Sequence, residues 1–207
     1  MTYRHCRALI AAGCIPVIFL TGGCSSSTSS KATTGNSAGA ASGPNAHVTE
    51  SAPPGDIPDT QRFTDYVAPD RAFSLKVPEG WARTPSGRAV VFSDKYNSVR
   101  IETYPAVRQP SVDSARASEL PAVKAAAHGY SAGEVKTVQR AAGTAVLVTY
   151  RADSAPNSVT GKVVVEAVER YEFWRNGTEV VLTLSGALGA DNVDPWRKVT
   201  DSFRWTA

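Results

Sequence analysis

Cysteine is nearly missing from this chain of 207 residues: Cys6, Cys14 and Cys24 are the whole supply, and the 183 residues after Cys24 hold none. Without thiols, that long stretch has neither a disulfide framework nor a cysteine-ligated zinc site. Histidine is scarce too. His5, His47 and His128 are the three in the chain, and from about residue 65 onward His128 stands alone. A Ser/His/Asp hydrolase therefore has one imidazole to draw on, with no G-x-S-x-G elbow beside it. Basic runs are absent. The formal charge is +3, and setting Arg4 and Arg7 aside leaves 20 Lys and Arg against 19 Asp and Glu. That balance excludes the clustered positive charge on which nucleic-acid binding depends. The apolar run Ala8 to Leu20 is thirteen residues long and broken by glycine, cysteine and proline, whereas a membrane-spanning helix needs about 20.

What is present begins with an export layout. Met1 to Arg7 carries Arg4 and Arg7 and no acid, and Ala8 to Leu20 is the apolar segment. Thr21, Gly22 and Gly23 then supply the small residues that a signal peptidase takes in extended form. The stretch Leu20-Thr-Gly-Gly-Cys24 resembles the lipobox of bacterial lipoproteins, with Thr21 where leucine is usual and Leu20 one place further out. The resemblance implies cleavage between Gly23 and Cys24, a diacylglycerol of the palmitate kind on the Cys24 thiol, and anchorage on the extracytoplasmic face of the cell membrane. The alternative is an ordinary secretory signal with an incidental cysteine. Cysteine placement favours the lipid, because a lone thiol in an oxidising compartment is a hazard unless it pairs or is consumed. Thioether formation consumes it. One acyl chain holds only marginally at about 0.8 kcal/mol per buried CH₂, and two or three hold firmly.

From Ser25 to about Thr60 the chain is rich in Ser, Thr, Ala, Gly and Pro, with no leucine and no Phe, Trp or Tyr. It has too little apolar surface to offset its chain entropy. A flexible linker of this length reaches roughly 30 to 36 Å, enough to lift a domain off a bilayer. His47 sits inside it as an isolated, inert side chain. The expected division is a signal peptide over 1–23, lipidated Cys24 with a tether running to residue 64, and one folded domain over 65–207.

Within that domain, period-two alternation dominates. Phe73-Ser-Leu-Lys-Val77 runs into a Pro78-Glu-Gly80 turn before Trp81 and, with Ala89 to Ser93 and Val99 to Tyr104, predicts an antiparallel meander. Ser111 to His128 has a helical composition. Pro121 costs about 3 kcal/mol in a helix interior, so either the helix begins near Leu120 or two short helices meet there, with Gly129 as the stop. Gly133 to Ala141, Thr144 to Ala152, Lys162 to Arg175 and Thr178 to Ser185 predict four more strands. Asn176-Gly177 joins the last two as a type I′ turn. Asn176-Gly-Thr178 also matches a glycosylation acceptor, but beside a bacterial lipobox the turn accounts for it. Asp194 as N-cap with Pro195 behind it predicts a terminal helix lying across the sheet, with Trp196, Val199 and Phe203 on one apolar stripe.

The pattern Phe73-x-Leu-x-Val-Pro78-x-Gly-Trp81, then Gly177-Thr-Glu-Val-Val-Leu-Thr-Leu184 and a closing Asp201-Ser-Phe203, resembles the PsbP/Mog1-like group, including LpqN-type actinobacterial lipoproteins. The resemblance implies an α+β fold, an antiparallel sheet flanked by helices on both faces in an α-β-α sandwich. It also implies a non-enzymatic binding or accessory role in the cell envelope, without a shared catalytic residue or cofactor. The partner would be an envelope protein or a lipid or glycan ligand.

Candidates for chemistry are few. His128 reads as a helix-end residue beside unsatisfied carbonyls. Asp191, Asn192 and Asp194 hold oxygens suited to calcium, but loop and helix cap explain them, so no metal is expected. Glu166 and Glu172 share one face of a strand and Glu169 the other, charges that read as a solvated sheet face. They are also the carboxylates open to an alternative, a cell-envelope hydrolase with an unrecognised carboxylate site. Gly186-Ala-Leu-Gly189 lacks the lysine of a phosphate cradle. Trp81, Trp174, Trp196 and Trp205 either line a groove or complete the core. A third class is a structural envelope protein with no small ligand.

Overall fold

Alternating sequences fold here as strands, and their pairing follows from the face each one buries. The computed structural model describes residues 55–157 and 160–206. Gly23, Cys24 and the chain before residue 55 lie outside them. Seven strands make one antiparallel sheet: β3 (Ala82–Ser86), β4 (Ala89–Asp94), β5 (Asn97–Pro105), β6 (Ser131–Arg140), β7 (Gly143–Asp153), β8 (Val165–Arg175) and β9 (Thr178–Ala187). Their spatial order is β3-β4-β5-β9-β8-β7-β6. A smaller sheet sets β2 (Phe73–Pro78) between β1 (Phe63–Val67) and β10 (Arg204–Trp205), again antiparallel. The architecture is mixed α/β with antiparallel sheets and few helices.

The β8–β9 hairpin closes as the dipeptide demands. Asn176 and Gly177 sit at φ 48° and 82°, the left-handed pair of a type I′ turn, and Arg175 faces Thr178. The expected meander is also present but composed differently. β3, β4 and β5 form it, while Phe73 to Val77 belongs to the other sheet. β2 is buried at every second residue and again at Pro78, so it packs across the larger sheet instead of extending it.

The chain from Ser111 onward forms one helical run: α1 (Val112–Ser114), a π-helical turn (Ala115–Glu119) and α2 (Leu120–Ala126). Ser111 caps it reciprocally: its hydroxyl accepts from the Ser114 amide at 3.1 Å, and the Ser114 hydroxyl accepts from the Ser111 amide at 2.8 Å. Pro121 sits in the first turn of α2, where that helix meets the π turn, as its cost in a helix interior leads one to expect. Its ring crowds the carbonyl four residues back, and the turn before it widens so that the Leu120 amide donates to the Ala115 carbonyl five residues earlier.

The terminal helix α3 (Val193–Ser202) begins two residues earlier than expected, with Asn192, not Asp194, at the N-cap. The Asn192 side chain does not cap the helix because it is engaged elsewhere. Its Oδ1 accepts from the Ile57 amide at 2.9 Å, and its Nδ2 donates to Gly55 O and Asn97 Oδ1 at 3.1 and 2.9 Å. A Cβ on Gly186 would come within 2.6 Å of that Nδ2, so only glycine leaves room. Residues 55–64, assigned to the tether by composition, are therefore part of the folded unit: Ile57 is buried and β1 starts at Phe63. Asn192→Ala leaves the Ile57 amide and Asn97 Oδ1 buried without this partner. It is expected to cost about 2 to 3 kcal/mol and to speed proteolysis near residue 55 under native conditions, read by limited digestion.

The main core lies between the two sheets and α3. Phe73, Leu75 and Val77 from β2 meet Val99 and Ile101 from β5, Tyr171 and Phe173 from β8, Leu182 and Leu184 from β9, and the α3 stripe of Trp196, Val199 and Phe203. Each such side chain contributes about 1.5 to 3 kcal/mol on burial. A second, smaller cluster joins Ala115 to Val146 and Val148, with Leu120 packed against it.

Candidate functional site

The space between the β1–β2 hairpin and the β3–β5 end of the large sheet is not filled by side chains. β3 reads Ala-Arg-Thr-Pro-Ser and is exposed throughout, which suits an edge strand, where Pro85 removes no ladder bond. It leaves a cavity of about 570 Å³ walled by Tyr66, Phe73, Ala89, Val90 and Ile101, with Asp70, Arg83 and Arg88 among its polar residues. The Arg83 guanidinium lies 5.3 Å from the Tyr66 ring and 5.8 Å from the Phe92 ring, and that of Arg88 lies 4.9 Å from the Tyr104 ring. Neither arginine forms an ion pair among the described residues. Asp70 is spoken for, its Oδ1 accepting from the Ala72 amide at 3.0 Å. Burial pushes the Tyr66 phenol above its ordinary value, with Arg83 opposing and Asp70 reinforcing. The site offers a partly apolar wall and one aromatic-stacked cation, Arg83; the Arg88 guanidinium is drawn to Tyr104, which bonds Glu102 on the other face of the sheet.

A second constellation lies on the other side of the large sheet. Arg170 of β8 pairs with Glu119 of the π turn at 2.8 Å and stands 3.7 Å from Glu102 of β5. Burial works against the Glu102 carboxylate, but hydrogen bonds from Arg100 and Tyr104 outweigh it and hold the group below the usual range. Glu172 has no such help. It is 2% exposed, its Oε1 finds no hydrogen-bond partner, and burial followed by the Glu119 and Glu179 charges pushes its carboxyl up to about 8. Burial and Glu119 push Glu179 up as well.

No protein-family model matches the sequence, and no curated protein matches it significantly. Solved structures do match. The PsbP of the cyanobacterium Synechocystis aligns at a TM-score of 0.52 and 13% identity, covering 73% of this chain and 98% of that one. The chain shares the PsbP fold. The Ran-binding protein Mog1p of Saccharomyces cerevisiae aligns at TM-score 0.45 and 13% identity over 70% of this chain and 96% of that one. LpqN of Mycobacterium tuberculosis, involved in cell envelope biogenesis, aligns at 0.39 and 17% identity over 72% and 93%. The chain spans about half, 48%, of a longer matching chain from Bacteroides thetaiotaomicron.

On this PsbP-like frame the residues singled out by sequence are scattered. Cys24 and Gly23, the lipidation and cleavage residues, fall outside the described part, as does His47. His128 is exposed just past α2, its carbonyl accepting from the Asp153 amide. The loop holding Asp191, Asn192 and Asp194 is a fastening for residues 55–57: Asp56 Oδ1 accepts from the Asp191 amide at 2.9 Å. Among the described residues no group of three His, Cys, Asp or Glu is placed to hold a metal ion. Trp196 is buried in the main core and Trp81 and Trp205 pack against it. Trp174 lies on the opposite face, donating to the Ala106 carbonyl at 2.8 Å. None of the four lines the 570 Å³ cavity.

The carboxylates of β8 correct the sequence reading. Glu172 is buried, not solvated, because the π turn brings Glu119 over Arg170 beside it. Glu166 is half-buried, and burial raises its carboxyl against a hydrogen bond from Ser185. Glu166 and Glu172 are six residues apart, roughly 20 Å along a strand, whereas a glycosidase pair needs about 5 to 9.5 Å. Glu169 accepts from the Tyr171 hydroxyl at 2.7 Å, and Arg140 donates to the same hydroxyl at 2.9 Å. Burial and Glu169 push that phenol up to about 12. Arg140 also donates to Thr200 at 3.1 Å, so the network ties β6 and β8 to α3. Arg83 and Arg88 were not singled out by sequence. The one signal available was an arginine in one arm and another in the turn of a short Gly87 hairpin beside an apolar strand.

Proposed function

We propose that this chain is a lipid-anchored, non-enzymatic binding or accessory protein on the extracytoplasmic face of a cytoplasmic membrane of the actinobacterial kind. Because fold leaves function open, the reading rests on a site. The observation that carries it is the 570 Å³ cavity, whose volume suits a small ligand of about 300 to 1,000 Å³ and whose wall is apolar with a few convergent polar groups. Anchorage is supported by the signal layout, the Leu20-Thr-Gly-Gly-Cys24 stretch and the absence of any later cysteine. Among the described residues no helix is long and apolar enough to cross a membrane. The experiment is Cys24→Ala. The variant is expected to leave the membrane fraction for the medium, its membrane-bound share falling about tenfold or more. Mass analysis of the wild-type protein is expected to show an N-terminal Cys24 carrying lipid; unchanged fractionation would sink the anchor.

An envelope hydrolase has one observation in its favour, two carboxyls raised together at Glu172 and Glu179. A substrate cannot reach the first of them, which is almost fully buried. Loss of envelope-polysaccharide cleavage in Glu179→Gln, against a cleaving wild type, would decide for that reading.

A further inference from the structure

We propose that a second cavity, beside the β4–β5 turn, binds a small zwitterion with one ammonium and one carboxylate, an amino acid or a short peptide. Glu166 takes the ligand's ammonium and Lys95 its carboxylate. This site lies on the other face of the large sheet from the 570 Å³ cavity, so it goes beyond the binding reading above and does not rest on it.

Strand register builds the floor of this cavity. Ser93 of β4 faces Ser98 of β5, and Ser98 faces Ser185 of β9, so three hydroxyls lie in a row on one face. Glu166 of β8 is on the same face, two residues along from Val168, which pairs with Ser185. The segment Ser154 to Asn157 and the Lys95-Tyr96 turn bound the space, about 430 Å³, a volume in the range of small-ligand sites. Hydrogen-bond direction decides what the floor can receive. The Ser98 and Ser185 hydroxyls are 2.8 Å apart, and Ser185 also bonds the Glu166 carboxyl. A carboxylate only accepts and a hydroxyl has one proton to give, so Ser185 donates to Glu166 and Ser98 donates to Ser185. Lone pairs are left at Ser98 and Glu166. A ligand must therefore bring donors. Glu166 is half-buried and Lys95 exposed, and neither has an ion-pair partner among the described residues. Lys95 stands at φ 51° as the first central residue of the two-residue turn between Asp94 and Asn97, a position that suits glycine. Lysine there is strained, and it sets an ammonium at the mouth of the cavity. An amine alone would pair with Glu166 and be repelled by Lys95. A carboxylate alone would pair with Lys95 and be repelled by Glu166. A polyol would fill the lone pairs and leave both charges unpaired, whereas a zwitterion pairs both.

The test is an amide NMR titration of the full chain in a non-ionic detergent. The probes are alanine, alanylalanine, N-acetylalanine, alanine amide and glucose. Alanine or alanylalanine is expected to shift the amides of residues 95–98 and 154–155, and to bind at least about tenfold more tightly than N-acetylalanine or alanine amide. Glucose is expected not to bind. Whichever zwitterion binds more tightly tells a free amino acid from a peptide as the source. Glu166→Gln should weaken the zwitterion about tenfold and close its gap to N-acetylalanine. Lys95→Gly should close its gap to alanine amide without lowering the urea midpoint, since glycine suits φ 51°. Arg175→Gln, an exposed arginine at the far end of β8, should change neither gap. The proposal is overturned if a blocked form or glucose binds as tightly as the zwitterion, or if no probe binds. It is overturned equally if the Glu166 or the Lys95 variant leaves its gap intact. None of these results bears on the 570 Å³ cavity, which lies on the other face of the sheet.

Discussion

Phe203→Ala is expected to destabilise the folded unit by about 3 to 5 kcal/mol, the range for emptying a buried aromatic site. Phe203 is fully buried at the point where α3 hands over to β10. Its ring stacks on Phe173 of β8 at 4.5 Å, contacts Phe73 of β2 at 5.4 Å and meets Trp205 edge-on at 5.1 Å. One side chain thus joins the large sheet, the small sheet and the terminal helix. The void left by alanine cannot close, since its walls belong to three elements each held by its own ladder or helix bonds. Against a total stability of about 5 to 15 kcal/mol, such a loss leaves a marginal protein. Urea unfolding at neutral pH measures it, and Phe203→Leu should recover about half. A loss below about 1.5 kcal/mol would mean that the aromatic cluster is not the joint described.

That joint was half legible in the sequence. Trp196, Val199 and Phe203 fall on one stripe at helical spacing, and the stripe is buried as the spacing demands. The two-residue strand after it was not legible, because Arg204 and Trp205 pair with β2 only once α3 has carried them there. The same division runs through the molecule. Long alternating runs and the Asn176-Gly177 dipeptide fix β7 to β9, since pleat and turn chemistry act locally. β3 carries no local signal: five exposed residues, one of them proline, become a strand by adding to the edge of β4. The start of the domain was misplaced for a related reason. Residues 55–62 are polar and proline-containing, and Ile57 is held by Asn192, which lies 135 residues away in sequence. Arg83 looks like any solvated hairpin charge until the β1–β2 hairpin folds beside it and brings Tyr66 under its guanidinium.

Glu172 is the clearest case of a residue whose alternating context misleads, and it carries the second large prediction. On a strand, a glutamate between Tyr171 and Phe173 faces away from both, and sequence cannot say whether that face is wet. Here it is dry. The unfolded chain releases the Glu172 proton near 4.5, while burial, then Glu119 and Glu179, hold the folded carboxyl up to about 8 against the pull of Arg170. Below pH 4.5 both states are protonated and the group is neutral to stability. Between the two values the folded state holds a proton that the unfolded state has lost, so stability falls as pH rises, by about 1.4 kcal/mol per unit. Above pH 8 the loss levels off, on the order of 4 kcal/mol in all. Glu172→Gln keeps the shape and has no proton to lose. At pH 5 the two proteins should have similar midpoints. At pH 8 the variant should be more stable by about 2 to 4 kcal/mol, a rise in Tm of roughly 5 to 10 °C for a domain of this size. The raised carboxyl of Glu166 is the same in each protein, and the repulsion between Glu172 and Glu179 is part of the difference that the comparison measures. Urea midpoints at pH 5, 6, 7 and 8 supply the test. Parallel pH profiles would show that Glu172 ionises in contact with water, and the buried constellation around Arg170 would have to be redrawn.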